Sequence, residues 1–187
     1  MADDMAHQEL VALLRELSVR TGTFTLASGA VSDFYVDARQ TTLHARGCQL
    51  VADLILARLA PEVMAVGGMT LGADPIACSV AARSPASRPL HAFLIRKEAK
   101  GHGTERQVEG LASIPVGTNV CIVEDTTTTG GSMLRAVRAA EASGLQVVQC
   151  ITVVDRQEGA VDTLRAAGYA LESITGRAEL LQEDPAE

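Results

Sequence analysis

The chain has 187 residues, of which 47% are hydrophobic, and it carries a formal net charge of −7. This length and composition predict a single domain with a sizeable core. The acidic balance and an aromatic content of only 3% argue against binding to nucleic acid, which requires a basic surface and usually stacking rings. No apolar run approaches the roughly 18 residues of a membrane span, and no signal-like segment opens the chain. We therefore expect a cytoplasmic protein without a membrane partner.

Hydrophobic periodicity predicts helices and strands that alternate along the chain. The predicted helices cover residues 7–20, 47–59, 75–82, 133–142 and 161–167, and the predicted strands cover 63–66, 91–95, 120–123, 147–154 and 169–174. Residues 67–75 are predicted to form a turn, and residues 101–117 are the least structured interior stretch. This order predicts an α/β fold with a mostly parallel central sheet and helices on both faces.

Four cysteines, Cys48, Cys78, Cys121 and Cys150, are scattered along the chain with no CxxC pair. Cys121 and Cys150 lie inside apolar, strand-like runs, where a small hydrophobic residue belongs. The pattern predicts reduced, buried thiols rather than disulfides or a zinc site.

The segment from Val120 to Ser132, VCIVEDTTTTGGS, predicts a buried strand followed by a sharp turn. Open α/β sheets bind their ligands at this carboxyl edge of the strands. Donors for a phosphate come from the turn: hydroxyls of Thr126, Thr127, Thr128 and Thr129, backbone N–H groups of Gly130 and Gly131, and the helix that begins near Ser132.

Glu124 and Asp125 precede these donors and would repel a phosphate. The same carboxylates accept hydrogen bonds from a sugar diol, so a ligand with a phosphate at one end and hydroxyls at the other removes the conflict. A phosphorylated ribose fits this description. The alternative is an ordinary strand, turn and capped helix.

A second cluster contains four permanent cations and a histidine within eleven residues, namely Arg96, Lys97, Lys100, His102 and Arg106. Such cations can close over an anionic leaving group and neutralise its charge. The alternative is a solvated charged loop that is balanced by nearby glutamates.

Two further segments carry side chains that suit a flat ring and a carboxylate. Phe34, Tyr35 and Val36 supply an apolar and aromatic wall, although such a run is more often an edge strand that packs its rings into a core. Arg156 follows a predicted strand, and its guanidinium matches a carboxylate. A salt bridge from Arg156 to Glu158 is the alternative.

Four segments together resemble the type I phosphoribosyltransferases, and within that family the members that act on orotate. They are residues 24–42 (FTLASGAVSDFYVDARQTT), 94–110 (LIRKEAKGHGTERQVEG), 120–132 and 153–159 (VVDRQEG). The resemblance implies one phosphoribosyltransferase domain over residues 1–187, with a small N-terminal hood over about 1–40 and a core over about 41–187. It also implies transfer of the phosphoribosyl group of 5-phosphoribosyl-1-pyrophosphate (PRPP) to orotate, giving orotidine 5′-monophosphate and pyrophosphate.

The resemblance further implies roles for individual residues. PRPP would be bound by the cationic cluster at Arg96, Lys97, Lys100 and His102 together with Glu124, Asp125, the four threonines from 126 to 129, Gly130, Gly131 and Ser132. Orotate would be bound by Tyr35, Val36, Thr128 and Arg156, and the catalytic residues would be Lys100, His102 and Asp125. Lys97, Lys100 and His102 would serve the neighbouring subunit of a homodimer, and Mg²⁺ would be required but held mainly by PRPP rather than by protein ligands.

Two departures from the family pattern remove cations. Ala27 stands where the family often has a lysine, and residues 67–75 (GGMTLGADP) replace an element that often carries one. The pyrophosphate would then depend more on backbone donors and on the cationic cluster. The alternative functions are a type I phosphoribosyltransferase for a purine base or uracil, and a non-catalytic regulator that senses PRPP.

Overall fold

A computed structural model describes residues 2–25, 31–98 and 107–182. The helices are α1 (Ala2–Leu13), which continues as a π-helical turn over Leu14–Ser18, α2 (Arg39–Thr42), α3 (Ala45–Arg58), α4 (Ala73–Arg83), α5 (Gly131–Ala142), α6 (Ala160–Ala166) and α7 (Arg177–Leu180). The strands are β1 (Val19–Thr25), β2 (Val31–Val36), β3 (Ala65–Met69), β4 (His91–Ile95), β5 (Val108–Glu109), β6 (Asn119–Thr127), β7 (Gln146–Asp155) and β8 (Leu171–Gly176).

Six strands form the central sheet in the order β5-β4-β3-β6-β7-β8. All neighbours pair in parallel except the short edge strand β5, which is antiparallel to β4. The chain begins this sheet at β3, moves outward to β4, and then returns to the other side of β3 as β6. The strand order therefore reverses between β3 and β6, and a crevice is expected outside the carboxyl ends of these strands.

Alternation along the strands builds a core on each face of the sheet. In β6, Cys121 and Val123 face one cluster, whereas Val120 and Ile122 face the other. The first cluster is covered by α1, α3 and α4, and the second is covered mainly by α5. Because successive side chains of a strand point to opposite faces, a run that is apolar throughout is the pattern of a strand buried on both sides. The predicted fold class is confirmed.

The N-terminal part of the chain adds a two-stranded antiparallel hairpin, β1-β2, beside the central sheet. Phe34 is completely buried and belongs to the same core cluster as α1 and α3. Tyr35, on the other side of the strand, keeps 40% of its surface exposed. The division of the chain into a hood and a core stays a prediction.

Several predicted boundaries were wrong. The helix over residues 7–20 gives way at Val19 to β1, because the residues from there pair with β2. The strand predicted over 63–66 is β3, and the predicted turn over 67–75 is reduced to three residues between β3 and α4. A side chain on Gly67 would lie 2.3 Å from the Phe93 carbonyl oxygen, so the glycine here permits close strand packing and does not mark a turn. Residues 101–117 contain β5 and a short 3₁₀ turn, Leu111–Ser113.

The cysteines are all free. Cys121 and Cys150 are buried in strands as predicted, and burial raises the pKa of the Cys150 thiol to about 12. The prediction of burial was wrong for Cys78, which is exposed on α4, and only partly right for Cys48, which is half-buried. No helix in the described parts of the chain combines the length and the apolarity that a membrane crossing requires.

Candidate active site

A cleft of about 700 Å³ opens at the carboxyl ends of β3, β4 and β6, at the point where the strand order reverses. Four parts of the chain line it: Tyr35, Val36, Asp37 and Arg39 from the β2–α2 segment, Met69, Thr70, Leu71 and Gly72 after β3, Arg96, Lys97 and Glu98 after β4, and Glu124, Asp125, Thr126 and Ser132 from β6 and α5. Eight of the residues expected to bind substrate are thus brought to one cavity: Tyr35, Val36, Arg96, Lys97, Glu124, Asp125, Thr126 and Ser132.

Glu124 is held in the cleft floor by β6, with only 9% of its surface exposed. Burial raises its pKa to about 7, the nearby Asp125 carboxylate adds to the rise, and a hydrogen bond with Ser132 opposes it. Within the described residues, Oε2 of Glu124 is buried and has no hydrogen-bond partner. A buried acceptor without a partner is costly, so this oxygen suits a donor that a ligand brings.

Asp125 lies against the β3–α4 turn. A Cβ on Gly72 would lie 2.3 Å from Oδ1 of Asp125, so a glycine is required for this close approach. The backbone N–H of Thr126 donates to the same oxygen at 2.8 Å. Burial raises the pKa of Asp125, whereas this hydrogen bond and the positive charge of Arg39 lower it. Glu124, which is buried, and Asp125, which is half-buried, thus line the same cleft.

The turn after these acids begins later than predicted. Thr126 and Thr127 still belong to β6, because Thr127 pairs with Asp155 of β7. Period-two alternation then separates their side chains: Thr126 lines the cleft and Thr127 is buried. The expectation that all four threonine hydroxyls point into one volume is therefore wrong for Thr127.

Thr128, Thr129, Gly130 and Gly131 were also expected to bind the phosphate; they lie between β6 and Ser132 and are not among the residues that line the cleft. Gly130 has a left-handed φ of 81°, and a Cβ there would lie 2.6 Å from Cδ2 of Leu164. Both facts favour glycine at this position. Helix α5 begins at Gly131, and the first N–H groups of a helix have no partner within it, so they are available to an anion.

The cations of the cleft come from the segment after β4. Arg96 lies beside the antiparallel strand β5, where its Nε donates to Oε1 of Glu109 at 2.9 Å. Lys97 follows it along the cleft wall. Lys100, His102 and Arg106 lie outside the described residues, so their assignments stay predictions.

Of the four residues expected to bind orotate, Tyr35 and Val36 line the cleft, whereas Thr128 and Arg156 are not among its lining residues. The Arg156 guanidinium reaches the backbone of Phe34, with Nη2 donating to its carbonyl oxygen at 3.4 Å. The backbone N–H of Arg156 donates to the Thr127 carbonyl, next to Thr128. Arg156 is buried and also forms the expected alternative contact, a 2.8 Å ion pair with Glu158.

Comparisons with known proteins agree with this geometry. A family model described as a phosphoribosyl transferase domain matches residues 45–167. The orotate phosphoribosyltransferase of Corynebacterium glutamicum (strain R) is 44% identical over 176 residues, which are 94% of this chain and 94% of the relative. This chain belongs to the orotate phosphoribosyltransferase family.

Solved structures of the orotate phosphoribosyltransferase family share the fold. The enzyme of Mycobacterium tuberculosis H37Rv in complex with Fe(III) dicitrate superposes with a TM-score of 0.82 at 44% identity, covering 95% of this chain and 99% of that one. The same enzyme in complex with PRPP gives a TM-score of 0.77 at 39% identity, covering 94% and 98%. The expected α/β architecture of the family is confirmed.

Sequence reasoning missed part of the cleft in this family member. Asp37, Arg39 and Leu71 line it, and none of them was singled out. An arginine close after the Phe34–Val36 run of apolar residues was the available signal for Arg39. Nothing in the local sequence distinguishes Leu71 from other exposed apolar residues.

Proposed function

We propose that the chain transfers the phosphoribosyl group of PRPP to a ring nitrogen of orotate, giving orotidine 5′-monophosphate and pyrophosphate, in pyrimidine biosynthesis. The observation that carries this proposal is the acid pair of buried Glu124 and half-buried Asp125 beside a glycine-containing turn at the cleft. The family membership supports the same reaction. The enzyme is thus a pentosyltransferase.

The acid pair of Glu124 and Asp125 binds the ribose hydroxyls of PRPP. Oε2 of Glu124 accepts from a ribose hydroxyl, and the Asp125 carboxylate accepts from its neighbour. The backbone and hydroxyl donors from Thr126 to Ser132 hold the 5-phosphate. Because both ends of the sugar are fixed, its anomeric carbon is oriented toward the attacking nitrogen, and positioning supplies much of the rate.

The leaving pyrophosphate is neutralised by cations. Arg96 and Lys97 lie on the cleft wall, and Lys100 and His102 follow them in the chain. Fixed positive charges stabilise the negative charge that develops as the glycosidic bond breaks. We assign catalytic roles to Lys100, His102 and Asp125.

Mg²⁺ fits this cleft as a substrate-bound ion. The described residues contain no group of three or more histidine, cysteine or acidic side chains placed to hold a metal. Magnesium commonly binds through phosphates and water with one or two carboxylates, and the carboxylates that line the cleft are Asp37, Glu98, Glu124 and Asp125. When bound, the ion neutralises charge on the pyrophosphate.

The base end of the cleft selects orotate. We assign to Arg156 the pairing with the orotate carboxylate, in exchange for its ion pair with Glu158, and to Tyr35, Val36 and Thr128 the contacts with the ring. A neutral base such as uracil leaves this guanidinium without that partner, which costs about 2 kcal/mol, or tens of fold in specificity.

A spectrophotometric assay of orotate consumption with PRPP and Mg²⁺ tests the reaction. We expect turnover of orotate and far slower turnover of uracil, adenine, hypoxanthine and guanine. Arg156→Ala should raise the KM for orotate while sparing the KM for PRPP. Comparable rates with uracil and orotate would refute the proposed specificity, and no turnover of any base would favour a PRPP-sensing regulator.

We also propose a homodimer with shared active sites, in which Lys100 and His102 serve the partner's cleft; Lys97 was expected to do the same, but it lines the cleft of its own chain. Exposed apolar residues next to the cleft support it: Leu43 and Leu71 are each about 70% exposed there, beside Pro75 and Cys78, and the polar edge of the same surface contains Asp37 and Arg39, which also line the cleft. A second copy would cover this surface.

Mixing two inactive variants tests the shared site. Lys100→Ala and Asp125→Asn are each expected to lose on the order of 100-fold in rate. If Lys100 acts across the interface, hybrid dimers contain one complete site, so about a quarter of wild-type activity should return after subunit exchange. If the mixture stays as inactive as its parents although exchange is confirmed, each site is served by its own chain.

A further inference from the structure

Arg39 is a cation of the cleft wall to which the reaction described above gives no role. It is the first residue of α2 and lines the cleft together with Leu71, Gly72 and Asp125. Its Nε donates to Oδ1 of Asp37 at 2.7 Å, and Nε2 of Gln40 donates to the other oxygen of the same carboxylate at 3.2 Å. Across the described ranges this is the only hydrogen bond of the Arg39 side chain, so Asp37 fixes the guanidinium through Nε and leaves its two Nη groups for a ligand.

The neighbours of Arg39 place it next to the ribose end of the cleft. Its charge lowers the pKa of Asp125, and Asp125 in turn contacts the turn at Gly72. Arg39, residues 70–72 and Asp125 therefore line the same cleft beside the proposed ribose-hydroxyl site. Residues 67–75 contain no lysine or arginine, so of the described residues named here only Arg39 is a cation.

The charge balance of the cleft requires such a cation. Its described lining carries four acidic side chains, Asp37, Glu98, Glu124 and Asp125, against three basic ones, Arg39, Arg96 and Lys97. A highly anionic ligand cannot bind there unless cations are directed at its phosphates. A guanidinium that is fixed at Nε presents a planar pair of donors, which matches phosphate oxygens.

We propose that Arg39 is an additional binding residue for the pyrophosphate group of PRPP, held in place by Asp37. This inference rests on the proposed function for the identity of the ligand. Arg39 supplies the positive charge that residues 67–75 lack.

Titration with inorganic pyrophosphate and Mg²⁺, followed by calorimetry, tests the inference without turnover. Arg39→Gln should weaken pyrophosphate binding about tenfold and raise the KM for PRPP by a similar factor, since hydrogen bonds between charged groups are the strong ones. The KM for orotate should stay unchanged. Arg39→Lys, which keeps the charge but loses the planar fork, should recover part of the loss.

Arg83→Gln is the matched control. Arg83 is also paired with a carboxylate, Asp53, and is 41% exposed compared with 44% for Arg39. It ends α4, ten residues and thus about 15 Å from the helix start beside the cleft. Both affinities should match the wild type in this variant.

The outcomes separate the two proposals. Wild-type turnover of orotate combined with equal pyrophosphate affinity in wild type and Arg39→Gln would overturn the role of Arg39 and leave the function standing. A lower melting temperature of Arg39→Gln with unchanged pyrophosphate affinity would make the residue structural and would also overturn the role. If wild-type protein turns over no base, the function fails, and a tenfold difference in pyrophosphate affinity would still support Arg39.

Discussion

The pKa of Glu124 leads to a prediction about stability and pH. Burial moves this pKa from its ordinary value of 4.5 to about 7. At about 1.4 kcal/mol per pH unit, the change corresponds to about 3 kcal/mol of folding free energy. Because the folded protein binds the proton more tightly than the unfolded chain, this stabilisation is complete below about pH 4.5 and is lost as the pH rises through about 7.

Glu124→Gln removes this dependence while keeping the size of the side chain and resembling the protonated acid. The variant should match the wild type in free energy of unfolding near pH 4 and exceed it by about 3 kcal/mol near pH 8. Urea unfolding at both pH values measures the difference. Glu62→Gln, which removes one exposed carboxylate, controls for the loss of a negative charge.

Only the change in this difference with pH is diagnostic, because other carboxylates contribute their own pH dependence. The pKa of Asp74 is also raised by burial, and that of Asp37 is lowered by its hydrogen bond with Arg39. Both groups are present in wild type and variant, so their contributions cancel. A difference between Glu124→Gln and wild type that is the same at both pH values would refute the argument.

Three further predictions concern the cleft. The KM for PRPP should rise about tenfold per pH unit below about pH 7, because the ribose hydroxyls need the ionised Glu124; a flat profile would contradict this role. Asp125→Asn should weaken PRPP binding with little change in melting temperature, since burial already disfavours the charged form; an early melt would make Asp125 structural. Gly72→Ala should destabilise the protein by about 1–3 kcal/mol through its clash with Asp125, whereas Gly131→Ala, whose Cβ meets nothing closer than 3.9 Å, should melt like the wild type.

The order of the elements and most of the site chemistry follow from the sequence alone. The apolar runs at 120–123 and 147–154 predicted β6 and β7, because a strand buried on both faces has no polar alternation to obscure it. The acid pair and the donors after it predicted a site at the carboxyl edge, since these residue types are unfavourable in a core. Glu124, Asp125 and Ser132 duly line the cleft.

Glycines misled the prediction where close packing requires them. Gly67 and Gly68 suggested a turn, but they lie in β3. Glycine is required there because the neighbouring backbone leaves no space for a side chain. The sequence shows that a residue is glycine, whereas the contacts that require it come from strands far away in the chain. The same holds for Gly72, whose neighbour Asp125 is 53 positions later.

Tertiary structure alone decided which polar groups share the cleft and how their ionisation is set. Residues 126 and 127 are both threonines, yet the register of β6 against β7 places Thr126 in the cleft and buries Thr127. Arg39 entered the site because α2 packs beside the β3–α4 turn, which no local pattern encodes. The high pKa of Glu124 has the same origin: desolvation depends on the whole surrounding fold, and the sequence supplies only the carboxylate.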